Sequence, residues 1–313
     1  MNELPPTLSQ AADLDGQLLA LFGQALPSDL PVQVECMHQL QQADRELALW
    51  QVRVGKLLNW TLTLVSPLSR DQVPILLSGD GCWPQVIHGE GIQAVLNEGC
   101  ALAWFNRTEL AFDNGQRKGP IWAQWPSLST GCISAWAWGY QRSLDALVQI
   151  RQAHRPDQIQ AALGLVGHSR GGKAALLAAA TDQRAAAVIS HNSGTAGAAS
   201  LAVQRQGAES LTELIKSFPH WLSPELNTTV HIQNIVALDT PRQMLATIAP
   251  RGLCLLQAKD DLWANPEGTE CMHQMLKASW AGHEANLKWV ERPGGHAMTP
   301  ADWQQAAKFL AGF

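Results

Sequence analysis

The sequence predicts an α/β protein, a mostly parallel central sheet held between two layers of helices. Three observations carry that prediction. Short apolar runs alternate with helical patterns along most of the chain, as in a parallel sheet covered on both faces. A Gly-x-Ser-x-Gly turn, Gly167-His-Ser169-Arg-Gly171, joins an apolar run to an Ala-rich helical one. The 313 residues are 46% hydrophobic and 16% charged, enough apolar material to bury a core without disulfides or metals. At this length a single domain over 1–313 is expected.

Residues 1 to about 30 are polar with a helical pattern, and 1–45 read as an N-terminal lead-in. From 46 to 65 the pattern alternates, with Ala48, Trp50, Val52 and Val54 on one face. Gly55 and Lys56 interrupt it as a turn would, so two strands are predicted. Residues 73–77 form a short apolar strand ending in Ser78-Gly-Asp-Gly81, a cluster of turn formers. A helix over about 91–97 leads to a buried strand at 101–105, and 107–131 are irregular. Helical periodicity returns from 133 to about 154. A strand at 162–166, a helix at 172–181 and a strand at 186–190 follow. Strands at 253–257 and 287–290 flank a helix around 268–280, and a last helix runs over 300–313. The insertion at 194–250 is long and is expected to cap the C-terminal edge of the sheet.

In the Gly167–Gly171 turn a strand enters and a helix leaves, which lifts a serine hydroxyl above the sheet. Cβ atoms beside so tight a turn would clash with strand and helix, hence the glycines. The helix N-terminal amides point toward the same place and favour negative charge there. A serine nucleophile needs a base, and the base a carboxylate to orient it. In this architecture they follow in the order Ser, Asp or Glu, His. His296 lies in the Gly-rich segment Arg292-Pro-Gly-Gly-His after the last predicted strand and is the strongest base. His191, His220, His231, His273 and His283 compete less well; His191 comes too early, and His273 and His283 lie on or beside a helix. For the acid, Asp260 and Asp261 both follow the strand at 253–257, and one of them can serve as a cap instead. Asp239 is a weaker third candidate.

The formal net charge of −5 lacks the basic stripe a nucleic-acid partner would need. No run of about 18 apolar residues predicts a membrane helix. Glu3, Asp13 and Asp15 do not suit a signal peptide. Cys36, Cys82, Cys100, Cys132, Cys254 and Cys271 lack a C-x-x-C spacing and read as buried free thiols. A cytoplasmic protein without metal or cofactor is expected. Thirteen Trp against one Tyr is unusual, and indoles serve either as core filler or as platforms for flat ligands such as sugars.

Gly167-His-Ser169-Arg170-Gly-Gly-Lys173 resembles the nucleophile motif of glucuronoyl esterases, carbohydrate esterase family 15. Ile133-Ser-Ala-Trp-Ala-Trp138-Gly, Ser190-His-Asn-Ser-Gly194, Phe218-Pro-His-Trp221, Ile248-Ala-Pro-Arg251 and Asp260-Asp-Leu-Trp263-Ala-Asn-Pro resemble family segments in the same order. The resemblance covers roughly 75–313. It implies an α/β-hydrolase fold and hydrolysis of glucuronic acid esters, typically methyl or lignin-like alcohol esters of 4-O-methyl-glucuronate, through an acyl-enzyme. It implies Ser169 as nucleophile and His296 as base. The family's acid lies either after the strand following the elbow, where this chain has Asn192, or in the Asp-x-Trp segment, which implies Asp261. The resemblance gives Arg170 an oxyanion role, Lys173 and Glu209 contacts to sugar hydroxyls, and Trp263 packing on the sugar. Trp221 falls in a segment around the same edge, where an indole face can stack on a pyranose.

Plainer readings stand beside these. Lys173 can be a solvated first-turn residue, and Trp221 and Trp263 core filler, as Trp136 and Trp138 more readily are. Two other functions fit the same sequence: an acetyl or general small-ester esterase on the same triad, and a catalytically silent hydrolase fold used for binding. The expected partner is a small-molecule or carbohydrate ester, with neither nucleic acid nor membrane.

Overall fold

The computed structural model describes residues 13–68, 72–226 and 229–313. Helix α1 (Leu14–Phe22) is capped by Asp13, whose carboxylate accepts from Gly16 N. The rest of the predicted lead-in helix, 1–12, lies outside the described residues. Strand β1 (Val32–Gln41) runs antiparallel to β2 (Arg45–Val54), and β2 to β3 (Leu58–Pro67). This corrects the reading of 1–45 as a lead-in. β1 is an edge strand exposed along most of its length, and its apolar alternation, Val32, Val34 and Cys36 against Gln33 and Glu35, stops at Met37 and His38, where the register shifts, so it lacks the sustained pattern of a half-buried strand. β2 does carry it, with Ala48, Trp50, Val52 and Val54 buried.

Then follow β4 (Ile75–Ser78), α2 (Gly89–Asn97), β5 (Ala101–Phe105), α3 (Pro120–Gln124), α4 (Cys132–His154), β6 (Leu163–His168), α5 (Arg170–Thr181) and β7 (Ala187–His191). Helices α6 (Leu211–Ser217), α7 (Thr229–Leu238) and α8 (Thr240–Ala246) fill the long stretch before β8 (Gly252–Ala258). The chain closes with α9 (Pro266–Leu276), β9 (Leu287–Arg292) and α10 (Pro300–Leu310).

The nine strands of the described residues form one sheet in the order β1-β2-β3-β5-β4-β6-β7-β8-β9. The pairings from β5 through β9 are parallel, and those joining β1, β2, β3 and β5 are antiparallel. Parallel strands covered on both faces are apolar throughout, and β8 is buried at every position. One face carries α4 and α5 over a core with Trp60, Trp136, Trp138 and Tyr140. The other carries α2 and α10, packed around Trp303. Trp303 Nε1 donates to Val86 O at 2.9 Å, the partner a buried indole N–H needs. Trp136 and Trp138 are core residues, and seven of the 13 tryptophans are buried. Most of the tryptophan excess is therefore packing. The cysteines are all free, but only Cys100, Cys132 and Cys254 are buried; Cys82 and Cys271 are half-buried and Cys36 on β1 is exposed, so the expectation of uniformly buried thiols fails.

Candidate active site

Ser169 sits between β6 and α5 with φ 55° and ψ −122°. Such backbone costs a non-glycine residue about 1–3 kcal/mol and persists only where the surroundings enforce it. They do so here. Ser169 N donates to His191 O at 2.8 Å, and Asp80 lies buried beneath the turn. Asp80 Oδ2 accepts from His168 N at 2.8 Å, and its other oxygen pairs with the buried Arg107. A Cβ on Gly167 would meet Gly171 O at 2.2 Å, and one on Gly171 would meet Asp80 Oδ1 at 2.1 Å. Ser169 precedes α5, yet its side chain makes no cap hydrogen bond, which leaves Oγ for chemistry.

His296 lies in the loop after β9, and its Nδ1 is 2.5 Å from Asp261 Oδ2. Asp261 is buried just past β8. Its neighbour Asp260 is exposed and turned elsewhere: its Oδ2 accepts from Gly294 N at 2.7 Å, and its N–H donates to Gly294 O at 3.1 Å. The geometry thus separates two residues that the sequence left equivalent. Asp261 orients the histidine, and Asp260 ties down its loop. Asn192 accepts from Ala258 N at 2.7 Å and donates to His296 O at 3.3 Å. It braces β8 against the histidine loop. Asp239 is buried with Ser200 and Leu201 instead.

Ser169, Arg170 and His296 line two hollows at once. One, of about 120 Å³, is completed by Lys173, Glu209 and Trp263 among others. The second, of about 340 Å³, is lined by Trp83, Val86, Arg107, His168 and Met298. A hollow of about 610 Å³ beside α1, α4 and α5 is larger but has no histidine in its wall, so size does not mark the site. The stretch 194–250 supplies Gly194, Glu209, Phe218 and Trp221 to the smaller hollow.

Lys173, one turn into α5, is buried rather than solvated. Its Nζ donates to Ser193 O at 2.5 Å and Thr195 O at 2.6 Å and stands 3.9 Å from Glu209 Oε2. Burial lowers its pKa to about 8, opposed by the charge of Glu209. Burial raises that of Glu209, opposed by Lys173 and a hydrogen bond with the Trp263 side chain. Trp263 is 48% exposed, the one indole of this group with an open face.

Trp221 is arranged differently. Its ring stacks on Phe218 with centroids 3.9 Å apart and planes 4° off parallel. The Arg170 guanidinium lies 4.5 Å from its centroid, and its Nε1 donates to Asp113 Oδ1 at 2.8 Å. This corrects the expectation of a sugar platform at Trp221: the indole is spent on Arg170 and Asp113. Arg170 also donates to Asp113 Oδ2 at 2.7 Å and lies near the rings of Trp83 and Phe218. His220 Nε2 adds a contact to Asp113 at 3.0 Å. Burial alone would raise the Asp113 pKa, but His220, the charge of Arg170 and Trp221 outweigh it and hold the carboxyl well below its usual range. That contribution is complete above about pH 4 and is lost only as acidification passes the depressed folded value. Asp113 was missed from the sequence because it sits in the aperiodic 107–131 segment, and only the fold brings it to Arg170.

The family model for glucuronyl esterases of fungi matches residues 57–282. The 4-O-methyl-glucuronoyl methylesterase of Hypocrea jecorina is 30% identical over 237 residues, 72% of this chain and 48% of that protein. A glucuronoyl esterase from Solibacter usitatus superposes with a TM-score of 0.79 at 23% identity, covering 97% of this chain and 92% of that one. One from Sporotrichum thermophile, solved with methyl 4-O-methyl-beta-D-glucopyranuronate, gives 0.73 at 22% identity over 97% and 82%. The likeness establishes the α/β-hydrolase fold. The chain spans about half the length of the curated relatives it matches. With most of its residues under one family model and a relative at this identity over 72% of its length, the chain belongs to the glucuronoyl esterase family.

Proposed function

We propose that this protein is a serine carboxylesterase that hydrolyses esters of glucuronic acid. The observation that carries the reading is the sharing of Ser169, Arg170 and His296 between a polar hollow and a second, separate one. The polar hollow suits a hydroxylated acyl ring, with Lys173 and Glu209 for hydroxyls and Trp263 for a ring face. The other hollow takes the alcohol. Ser169 Oγ attacks the ester carbon as His296 Nε2 takes its proton, and Asp261 on Nδ1 fixes the tautomer that makes this feasible. Arg170 stands beside the developing oxyanion, where a pre-placed cation stabilises it most. His296 then returns the proton to the leaving alcohol, and water repeats the sequence to release the acid.

The test is kcat/KM for methyl and benzyl glucuronate against 4-nitrophenyl acetate, with fluorophosphonate labelling of Ser169 followed by mass spectrometry. Preference for the acetate by orders of magnitude would make the protein a general esterase. Failure to label Ser169 in folded protein would leave a binding fold.

Asp113 anchors Arg170, so Asp113→Asn should loosen the cation. Removing an oxyanion donor outright costs roughly 100- to 1,000-fold in kcat; loosening one should cost about tenfold, with KM little changed. An unchanged kcat would release Asp113 from that role.

Lys173 titrates near 8, below the free value of about 10.4. Between those values the unfolded chain binds the extra proton, so stability rises with pH there. Over the same range the buried ammonium loses its charge and its third donor. KM for a glucuronate ester should therefore rise above pH 8 more than kcat falls. Lys173→Met should raise KM and flatten that rise, and a variant with wild-type pH dependence of KM would refute the assignment.

A cytoplasmic location is proposed on the six free cysteines, which a reducing compartment would maintain. Fractionation of expressing cells checks it.

A further inference from the structure

The 340 Å³ hollow contains a histidine that the mechanism above leaves unused. His168 Nδ1 is 2.8 Å from His191 Nδ1, and its ring centroid is 4.6 Å from that of His296. His191 is fully buried, with Nε2 3.3 Å from Arg292 Nη2. Arg292 is itself fixed: Nε donates to the two Asp302 oxygens at 2.8 and 3.0 Å, Nη1 donates to Pro293 O, and Nη2 also reaches Ala297 O.

These contacts determine where the protons sit. A guanidinium only donates, so the Nη2–H that meets His191 Nε2 requires a lone pair there. Asp302 Oδ2 lies farther from that nitrogen, at 3.5 Å, and already accepts from Arg292 Nε, Thr299 N and Thr299 Oγ1. The shorter contact to Arg292 favours neutral His191 with its proton on Nδ1, donated to His168 Nδ1, over the tautomer with Nε2–H turned to Asp302. His168 is then protonated on Nε2. That atom has no hydrogen-bond partner among the described residues, and His168 lines the hollow. Both histidines stay neutral. Burial, His191, His296 and Arg107 push His168 well below its usual value against the charge of Asp302. Burial also lowers His191, opposed by Asp302.

We infer that Arg292 and His191 are positioning residues that lock His168 as a neutral Nε2–H donor to the departing alcohol oxygen of the ester. The assignment rests on the esterase reading, which places the alcohol in this hollow. His296 supplies the proton that the alcohol keeps, while His168 supplies a hydrogen bond as negative charge builds on the same oxygen.

Long-range ¹H–¹⁵N NMR of the folded protein reads the tautomers without any substrate. Nε2–H on His168 and Nδ1–H on His191 are expected; the opposite pair, or a cationic His168 at pH 7, overturns the chain. Kinetics then tests the role with glucuronate esters of methanol and trifluoroethanol. His168→Leu should lower kcat/KM about tenfold for the methyl ester, the worth of one hydrogen bond. It should lower it less than about twofold for the trifluoroethyl ester, whose alkoxide needs less help, and His168→Gln, which keeps a donor, should recover part of the loss. Equal losses on both esters would reduce His168 to a packing residue. If wild-type enzyme cleaves neither ester, the esterase reading fails and takes the leaving-group role with it, while the NMR result still decides the proton chain.

Discussion

Asp261→Asn is expected to lower kcat on a glucuronate ester by roughly 10,000-fold, with the fold and KM nearly unchanged. The reason lies in one contact, His296 Nδ1 to Asp261 Oδ2 at 2.5 Å. A carboxylate there accepts the Nδ1 proton and leaves Nε2 free to take one from Ser169. An amide can turn its NH₂ toward Nδ1 instead and favour the tautomer with the proton on Nε2, which is useless as a base. Asp260→Asn is the control. Its contacts go to Gly294 backbone, so about tenfold or less is expected, through a looser histidine loop. If Asp260→Asn were the crippling change and Asp261→Asn mild, the triad would have to be redrawn.

Ser169→Gly should abolish turnover, a loss of about a millionfold in kcat, and at the same time stabilise the protein. Ser169 is held at φ 55°, a region that glycine enters freely. Relief of about 1–3 kcal/mol of strain, less roughly 1 kcal/mol for glycine's greater unfolded-state entropy, leaves a net gain near 1 kcal/mol. For a chain of this size that is a rise in Tm of about 2 °C. Thermal melts of the two proteins read it directly. A variant that is both inactive and less stable would show that the turn is not strained by its serine, and that the Ser169 side chain contributes packing or hydrogen bonding to the ground state.

Much of the fold was legible because burial on both faces of a parallel sheet writes continuous apolar runs into the sequence. The runs at 162–166, 186–190 and 253–257 correspond to β6, β7 and β8. The strand β1 was harder to read: on this exposed edge only its first residues, Val32 and Val34, pack on the core, and the alternation they begin stops at Met37 and His38. The elbow was legible because its requirements are local. Two glycines, a serine and an Ala-rich helix lie within a few residues, and the clash distances at Gly167 and Gly171 show why no larger residue fits.

The sequence by itself determined the chemistry on offer: a serine on a strand-to-helix turn, a histidine in a late Gly-rich loop, and acids after β8. It also determined the family through segments whose order and composition match. Only the tertiary structure chose between Asp260 and Asp261, because they differ by one residue along the chain but point to different partners. Only it turned Trp221 from a sugar platform into a support for Arg170, and joined Asp113 and His191 to the site from elements far away in sequence. The physical reason is range. Strand pairing, helix periodicity and tight turns are set by neighbours a few residues apart. A hydrogen bond such as His220 to Asp113 spans 107 positions and exists only after the sheet and its crossovers have brought the two ends together.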